Sequence, residues 1–399
     1  VFRKLTVLGG SSPFTVALVD SLVEAGGRIP PCELVLHGRN AENLEAVRRY
    51  ADARLTPRGW QVRSTDSGPS ALDSADVVLH QIRYGGMAGR EADEELATAY
   101  GLPADETLGP GALQAAIRMV PGLLRTARDL ARYCPRAWVL NLTNPLSIAV
   151  AVMSLEGLQK CVGLCELPLV TVGQACDFLQ LPLESVEWSY SGLNHRGFIH
   201  SLSHDGRDCL PRLVEAMGER TLGGVTAEEI RQLRAIPLKY YCLLRQGRAG
   251  GGRAAYLSDL REEIVEELRV KPDESPAALA KRYMEWYPRA VVPMLAAISA
   301  DDGRVEVVNV RVGEIVMELK ARVFADRVEP LQVSPEGPSR EWIETFREQE
   351  RAALAAALEP SRERIRAALA ADPLVPERLV AELTESLCRN LTQGARVER

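Results

Sequence analysis

A chain of 399 residues is longer than one ordinary hydrophobic core supports, so two domains are expected. Hydrophobic residues make up 46% and charged ones 26%, the balance of a globular protein, and the net charge of −6 excludes a broadly basic surface for nucleic acid. The eight cysteines contain no CxxC pair and read as reduced core residues, and no apolar run reaches signal-peptide or membrane-span length. A cytoplasmic protein without nucleic-acid or membrane partners is the reading.

Leu5-Thr6-Val7-Leu8 is a short apolar run of the kind used for buried parallel strands. A glycine-serine turn follows, then helical periodicity over 15–24. A second strand at 33–37 stops at Gly38-Arg39-Asn40, and 41–55 reads as a helix. The apolar run 75–81 is a third strand, followed by a loop holding Gly85, Gly86 and Gly89. A long helix at 112–133, a strand at 137–142 stopped by Thr143-Asn144-Pro145, and a strand at 161–165 complete the first half. Alternating strands and helices imply right-handed βαβ units on a parallel sheet, a Rossmann-type domain over residues 1–165. The pattern then changes. Strands at 186–191 and 197–203 pair through Gly192-Leu193-Asn194-His195, a strand at 305–310 follows Asp302-Gly303, and 339–370 is helix-forming apart from Pro360. Residues 166–399 therefore read as an α+β substrate domain.

Gly9-Gly10-Ser11-Ser12 lies between the first strand and helix, where small residues let the backbone approach a pyrophosphate at the helix N-terminus. It is not a clean GxGxxG, so the strand–turn–helix context carries the assignment. No carboxylate ends the second strand to take a ribose. Arg39 stands nearby instead; it either holds a 2′-phosphate, which would favour NADP over NAD, or is a solvated surface residue. Cys165, at a strand end, and His195 together suit a divalent transition metal, although a core cysteine and a satisfied histidine fit the same residues. Glu166 adds a carboxylate ligand or caps a turn. Arg83, Arg90, Glu106, Thr107 and Asn144 fall in loops at the carboxyl edge of the sheet, where open α/β sheets bind ligands. Tyr240 and Tyr241 follow Pro237; a tyrosine serves as a general base when a cation lowers its pKa, and otherwise packs.

With these stretches in view, the chain resembles glycoside hydrolase family 4, NAD- and metal-dependent glycosidases that include 6-phospho-β-glucosidases. The resemblance rests on Gly9-Gly10-Ser11-Ser12, the run from Gln81 to Glu91, Glu106-Thr107-Leu108-Gly109-Pro110-Gly111 and Asn141-Leu142-Thr143-Asn144-Pro145. It continues through Gly163-Leu164-Cys165, Gly192-Leu193-Asn194-His195 and the run from Asp302 to Asn309. It implies a fold like that of lactate and malate dehydrogenases, and a redox-elimination route outside the two-carboxylate scheme. In that route the sugar C3 hydroxyl is transiently oxidised with NAD, a tyrosine removes the C2 proton, the glycosidic oxygen leaves C1 and water adds. Mn²⁺ or another divalent ion is implied, held by Cys165 and His195, with Arg90, Asn144 and Asn194 around the sugar and a homodimer or homotetramer as the assembly. Tyr240, three residues after Pro237, matches the base; matching Lys239-Tyr240-Tyr241 without a gap would put Pro237 there instead.

The sequence departs from the family where Glu166 follows the cysteine, in place of asparagine or histidine. It departs again where Arg282-Tyr283-Met284-Glu285-Trp286-Tyr287-Pro288 replaces an Arg-Gly-Gly loop, adding bulk and a carboxylate that could repel a 6-phosphate. The rival readings are an NAD(P)-dependent sugar or hydroxy-acid dehydrogenase or epimerase on the same scaffold, and a non-catalytic sugar or nucleotide sensor.

Overall fold

The computed structural model describes residues 1–246 and 250–397. Among the described residues thirteen strands form one sheet. They are β1 (Lys4–Leu8), β2 (Glu33–His37), β3 (Gln61–Thr65), β4 (Val77–His80), β5 (Trp138–Asn141), β6 (Cys161–Gly163), β7 (Val186–Leu193), β8 (Arg196–His204), β9 (Arg207–Asp208), β10 (Ile236–Pro237), β11 (Val305–Val312), β12 (Ile315–Val323) and β13 (Val328–Pro330). The first six lie in the order β3-β2-β1-β4-β5-β6, every neighbouring pair parallel, which is the dinucleotide-binding order. Complete burial of β1, β4 and β5 explains why these strands read as unbroken apolar runs rather than alternating ones.

The sheet does not stop where the sequence pattern changes. Asn309 of β11 pairs antiparallel with Gly163 of β6, and β12, β7, β8 and β10 extend the sheet from there, all antiparallel. Later helices also return to the first half. Leu257, Leu260 and Ile264 of the Arg253–Val270 helix, with Tyr287 and the Val292–Ala300 helix, share one apolar core with Leu5, Val7 and the Thr15–Ala25 helix. On the other face the Gly109–Tyr133 helix packs with the Pro338–Leu358, Arg362–Ala371 and Glu377–Val397 helices.

The expected loop around Gly86 and Gly89 is in fact the helix Gly86–Ala99. Gly85 caps it at φ 83°, and residues 90–99 are mostly good helix formers, which outweighs the glycines at its start. The Arg118 guanidinium lies against this glycine edge and pairs with Asp93. The helix-forming 339–370 stretch is two helices, Pro338–Leu358 and Arg362–Ala371, parted at Pro360 as its missing N–H requires.

Candidate active site

The carboxyl ends of β1, β4, β5 and β6 and the turn joining β7 to β8 converge on one region. At β1 the chain turns through Gly9, whose φ of 92° and whose hypothetical Cβ, 2.9 Å from the Gln81 carbonyl oxygen, both demand glycine. The Gly9 and Gly10 amides bond the His37 carbonyl at 3.1 and 2.7 Å, and Ser12 N–H bonds the Gly9 carbonyl at 3.0 Å, so the turn is tied to β2. The helix after it has no acidic residue in its first turn to compete with a phosphate. Gln81 donates to Thr15 Oγ1 at 2.9 Å and accepts from the Tyr287 hydroxyl at 2.8 Å, which ties the replaced loop to this turn. Arg282 lies over the Phe14 ring at 4.1 Å and over Trp286 at 4.9 Å. Arg39 is exposed, beside a His37 whose Nε2 meets the Asp66 carbonyl at 3.2 Å.

Cys165, two residues past β6, and His195 are both buried. His195 takes φ 66° in the two-residue turn Asn194-His195, a left-handed position more usual for glycine, and so turns its ring off the strand direction. Its Nδ1 is 2.7 Å from Thr107 Oγ1, and its ring stacks on Tyr240 with centroids 4.2 Å apart and 10° between planes. Burial, opposed by Glu106, pushes the His195 imidazole down to about 3, so it is neutral and able to ligate. Burial and the charges of Glu318 and Glu166 push the Cys165 thiol well up. A cation must therefore supply the charge that makes it a thiolate. Asn144 Oδ1 and Asn194 Oδ1 are buried acceptors without a hydrogen-bond partner among the described residues. A neutral imidazole, a thiol and unspent oxygens form a donor set that fits a divalent transition ion. Among the described residues no three His, Cys, Asp or Glu side chains converge, so further ligands would come from amide oxygens, substrate or water.

Tyr240 lies in the turn Lys239–Cys242 with Lys239 Nζ 5.4 Å from its ring centre. Burial, then Asp105, Glu106, Cys165 and Glu166, push its phenol well above the usual range. Tyr241 faces elsewhere, edge-on to Trp342 at 5.4 Å and 86°. Pro237 is paired with Phe198 in β10 and carries no group toward the site.

Arg90 is buried between Glu94 and Glu106, at 2.7 and 2.8 Å. Burial would raise the Glu106 carboxyl, but Arg83 and Arg90 outweigh it and hold it at about 2. Burial above all, with Arg253 and Arg83 adding to it, brings the Arg282 guanidinium down to about 10. The Nε atoms of Arg261 and Arg282 are buried without a hydrogen-bond partner among the described residues. Glu285, the added carboxylate, is paired with Arg289. Glu166 is nearly buried, and burial pushes its carboxyl up.

Two groups escape sequence reasoning. Asp105 Oδ1 accepts from the amides of Thr107 and Leu108 at 2.8 and 3.0 Å and so shapes the segment that meets His195. Glu318 is fully buried on β12, accepting from Asn194 and Asn309 at 3.1 and 2.8 Å and from the Tyr190 hydroxyl; burial pushes it up to about 7. The only signal for Glu318 is a charge in the otherwise apolar run Ile315–Leu319, and nothing there names its partners.

Sheet order and site together define an α/β enzyme scaffold of the dinucleotide-binding class. In agreement, lactate dehydrogenase from Cryptosporidium parvum superposes over 90% of this chain and 99% of its own with a TM-score of 0.58 at 15% identity, a likeness of fold alone. Residues 4–181 match the family 4 glycosyl hydrolase model and residues 190–375 match the family 4 glycosyl hydrolase C-terminal domain, so the chain belongs to glycosyl hydrolase family 4. A probable 6-phospho-beta-glucosidase of Bacillus subtilis is 27% identical over 95% of this chain and 94% of its own. The 6-phospho-beta-glucosidase of Thermotoga maritima, solved with manganese, NAD⁺ and glucose-6-phosphate, is 25% identical over 97% of this chain and 98% of its own, with a TM-score of 0.87.

Proposed function

We propose that this protein is an NAD- and divalent-metal-dependent glycosidase acting on a 6-phosphorylated β-glucoside by oxidation, elimination and water addition. The observation that carries the reading is the stack of Tyr240 on His195 beside Cys165, at the carboxyl edge of a dinucleotide-binding sheet. When bound, the dinucleotide would supply a reversible hydride acceptor and the metal a positive charge. Gly9, Gly10, Ser11 and Ser12 would hold the pyrophosphate, Cys165 and His195 would hold the ion, and Arg90, Asn144 and Asn194 would meet the sugar. Tyr240 takes the C2 proton. Its acidic surroundings keep the phenol protonated, so the base forms only where positive charge offsets Asp105, Glu106 and Glu166.

Three facts support a phosphorylated substrate. Arg83 and Arg253 both act electrostatically on the buried Arg282, so several positive charges lie near it. Arg261 and Arg282 keep unspent N–H groups, and Glu285 is neutralised by Arg289, so the repulsion expected from the replaced loop is relieved. The two relatives described above, matched over nearly their whole length, are named a probable 6-phospho-beta-glucosidase and a 6-phospho-beta glucosidase. The test is release of nitrophenol from α- and β-glucosides, with and without 6-phosphate, in the presence of NAD⁺ and Mn²⁺. Turnover of the 6-phospho-β-glucoside without net NADH is expected. Net NADH without sugar release would establish a dehydrogenase, and turnover of unphosphorylated glycosides alone would remove the role given to the arginines.

A further inference from the structure

His195 closes a ring of bonds that runs through four separate parts of the chain. Its Nδ1 meets Thr107 Oγ1 at 2.7 Å. Two residues after Thr107, the Gly109 amide, first in its helix, donates to Asp372 Oδ2 at 2.8 Å. Asp372 also accepts from Gln349 Nε2 at 3.3 Å, and Gln349 Oε1 accepts from Arg196 at 2.5 Å. Arg196 is the residue after His195; its Nε donates to the Asn194 carbonyl at 3.2 Å and its second amino group to Glu350 at 2.6 Å. Arg196, Gln349, Glu350 and Asp372 are all buried.

The energetics indicate a purpose beyond packing. A buried ion pair is often no more stabilising than an apolar pair of the same shape, so this arrangement is weak as a device for stability alone. What a polar ring supplies is direction. The left-handed turn at His195 has two backbone torsions free to relax, and Arg196 pins it from behind while Thr107 fixes the imidazole from in front. An Nδ1–H donated to Thr107 Oγ1 leaves the lone pair on Nε2, the state a metal requires, whereas a Thr107 hydroxyl donating to Nδ1 would put the proton on Nε2.

We infer that Gln349, on the Pro338–Leu358 helix, and Asp372, which follows the Arg362–Ala371 helix, are positioning residues that set the ring orientation and tautomer of His195 through Arg196 and Thr107. The metal side of this inference rests on the reading of His195 as a ligand; the tautomer side does not.

The test uses the full chain carrying ¹⁵N-histidine, as wild type, Gln349→Met and Asp372→Asn. The first variant keeps volume and removes the bridge; the second keeps shape and removes charge. Imidazole ¹⁵N resonances of the metal-free protein report the tautomer, and titration with Mn²⁺ alone reports affinity. In variants that still unfold cooperatively, the His195 resonances should leave the Nδ1–H position. Mn²⁺ should bind about ten- to a hundredfold more weakly, the usual effect of losing an outer-shell partner. An unmoved tautomer, with Mn²⁺ affinity within about twofold of wild type, overturns the inference, because a merely structural residue would lower the melting temperature and nothing else. His195→Ala separates the two claims. Should it bind Mn²⁺ as wild type does, the ligand assignment fails by itself, and the tautomer readout then decides the positioning role alone.

Discussion

Tyr240→Phe removes one oxygen and leaves the ring. That ring is 4.2 Å from His195 and 10° from parallel, and nothing in the stack depends on the hydroxyl, so stability should change by less than about 0.5 kcal/mol. The rate should not be spared. A general base is worth on the order of 10²–10⁴ in rate, or about 2.7–5.4 kcal/mol of barrier at 1.36 kcal/mol per decade. The surroundings sharpen the expectation. Burial, then Asp105, Glu106, Cys165 and Glu166, push the phenol up and hold it protonated, and Lys239 Nζ lies 5.4 Å from the ring centre. Chelator should therefore silence the wild type as fully as the substitution does. The assay is nitrophenol release from a 6-phospho-β-glucoside, with a C2-deuterated substrate to show that proton removal limits turnover. Tyr241→Phe is the control: that ring packs edge-on to Trp342, and its loss of oxygen should leave the rate within about twofold. Wild-type turnover by Tyr240→Phe, or a normal rate in chelator-treated enzyme, would refute the assignment.

The ribose end of the cofactor site is open to a direct measurement. Arg39 is exposed and no acid ends β2, so Arg39→Ala should weaken NADP⁺ at least about tenfold in calorimetric titration and leave NAD⁺ unchanged; equal losses for both would remove the 2′-phosphate role. The side chains of Arg196 and Glu350 are 1% and 4% exposed, so Glu350→Ala strands a buried charge and should cost about 3–5 kcal/mol in urea unfolding. A loss below about 1 kcal/mol would mean that water reaches the guanidinium. His80 is fully buried between Asn141 and Tyr84, and burial lowers its imidazole to about 4. The unfolded chain binds that proton below about pH 6.5 and the folded chain does not. The resulting stability is full above pH 6.5 and lost as pH falls toward 4, on the order of 3 kcal/mol in all. His80→Gln should flatten that part of the pH profile, and an unchanged slope would place the titration elsewhere.

The sequence by itself determined the parallel sheet and the turn after its first strand, because both rest on local rules. Strands buried on both faces are mostly apolar, and only glycine tolerates the φ of Gly9 against the Gln81 carbonyl. It also brought forward Cys165, His195 and Tyr240, through short motifs whose order is family-like. What it could not decide is everything set by long-range contact. Whether Tyr240, Tyr241 or Pro237 faces the site depends on which of three neighbouring residues stacks on His195, and their chemical types do not settle that. The replaced loop looked hostile to an anion because Glu285 was visible and its pairing with Arg289 was not. The sheet continues past residue 165 because one residue of β11, Asn309, meets Gly163 of β6 across 146 positions of sequence. Glu318, Asp372 and Gln349 matter only through partners that lie far away in the chain. A buried polar group is defined by what satisfies it, and that is a property of the folded arrangement rather than of the residue.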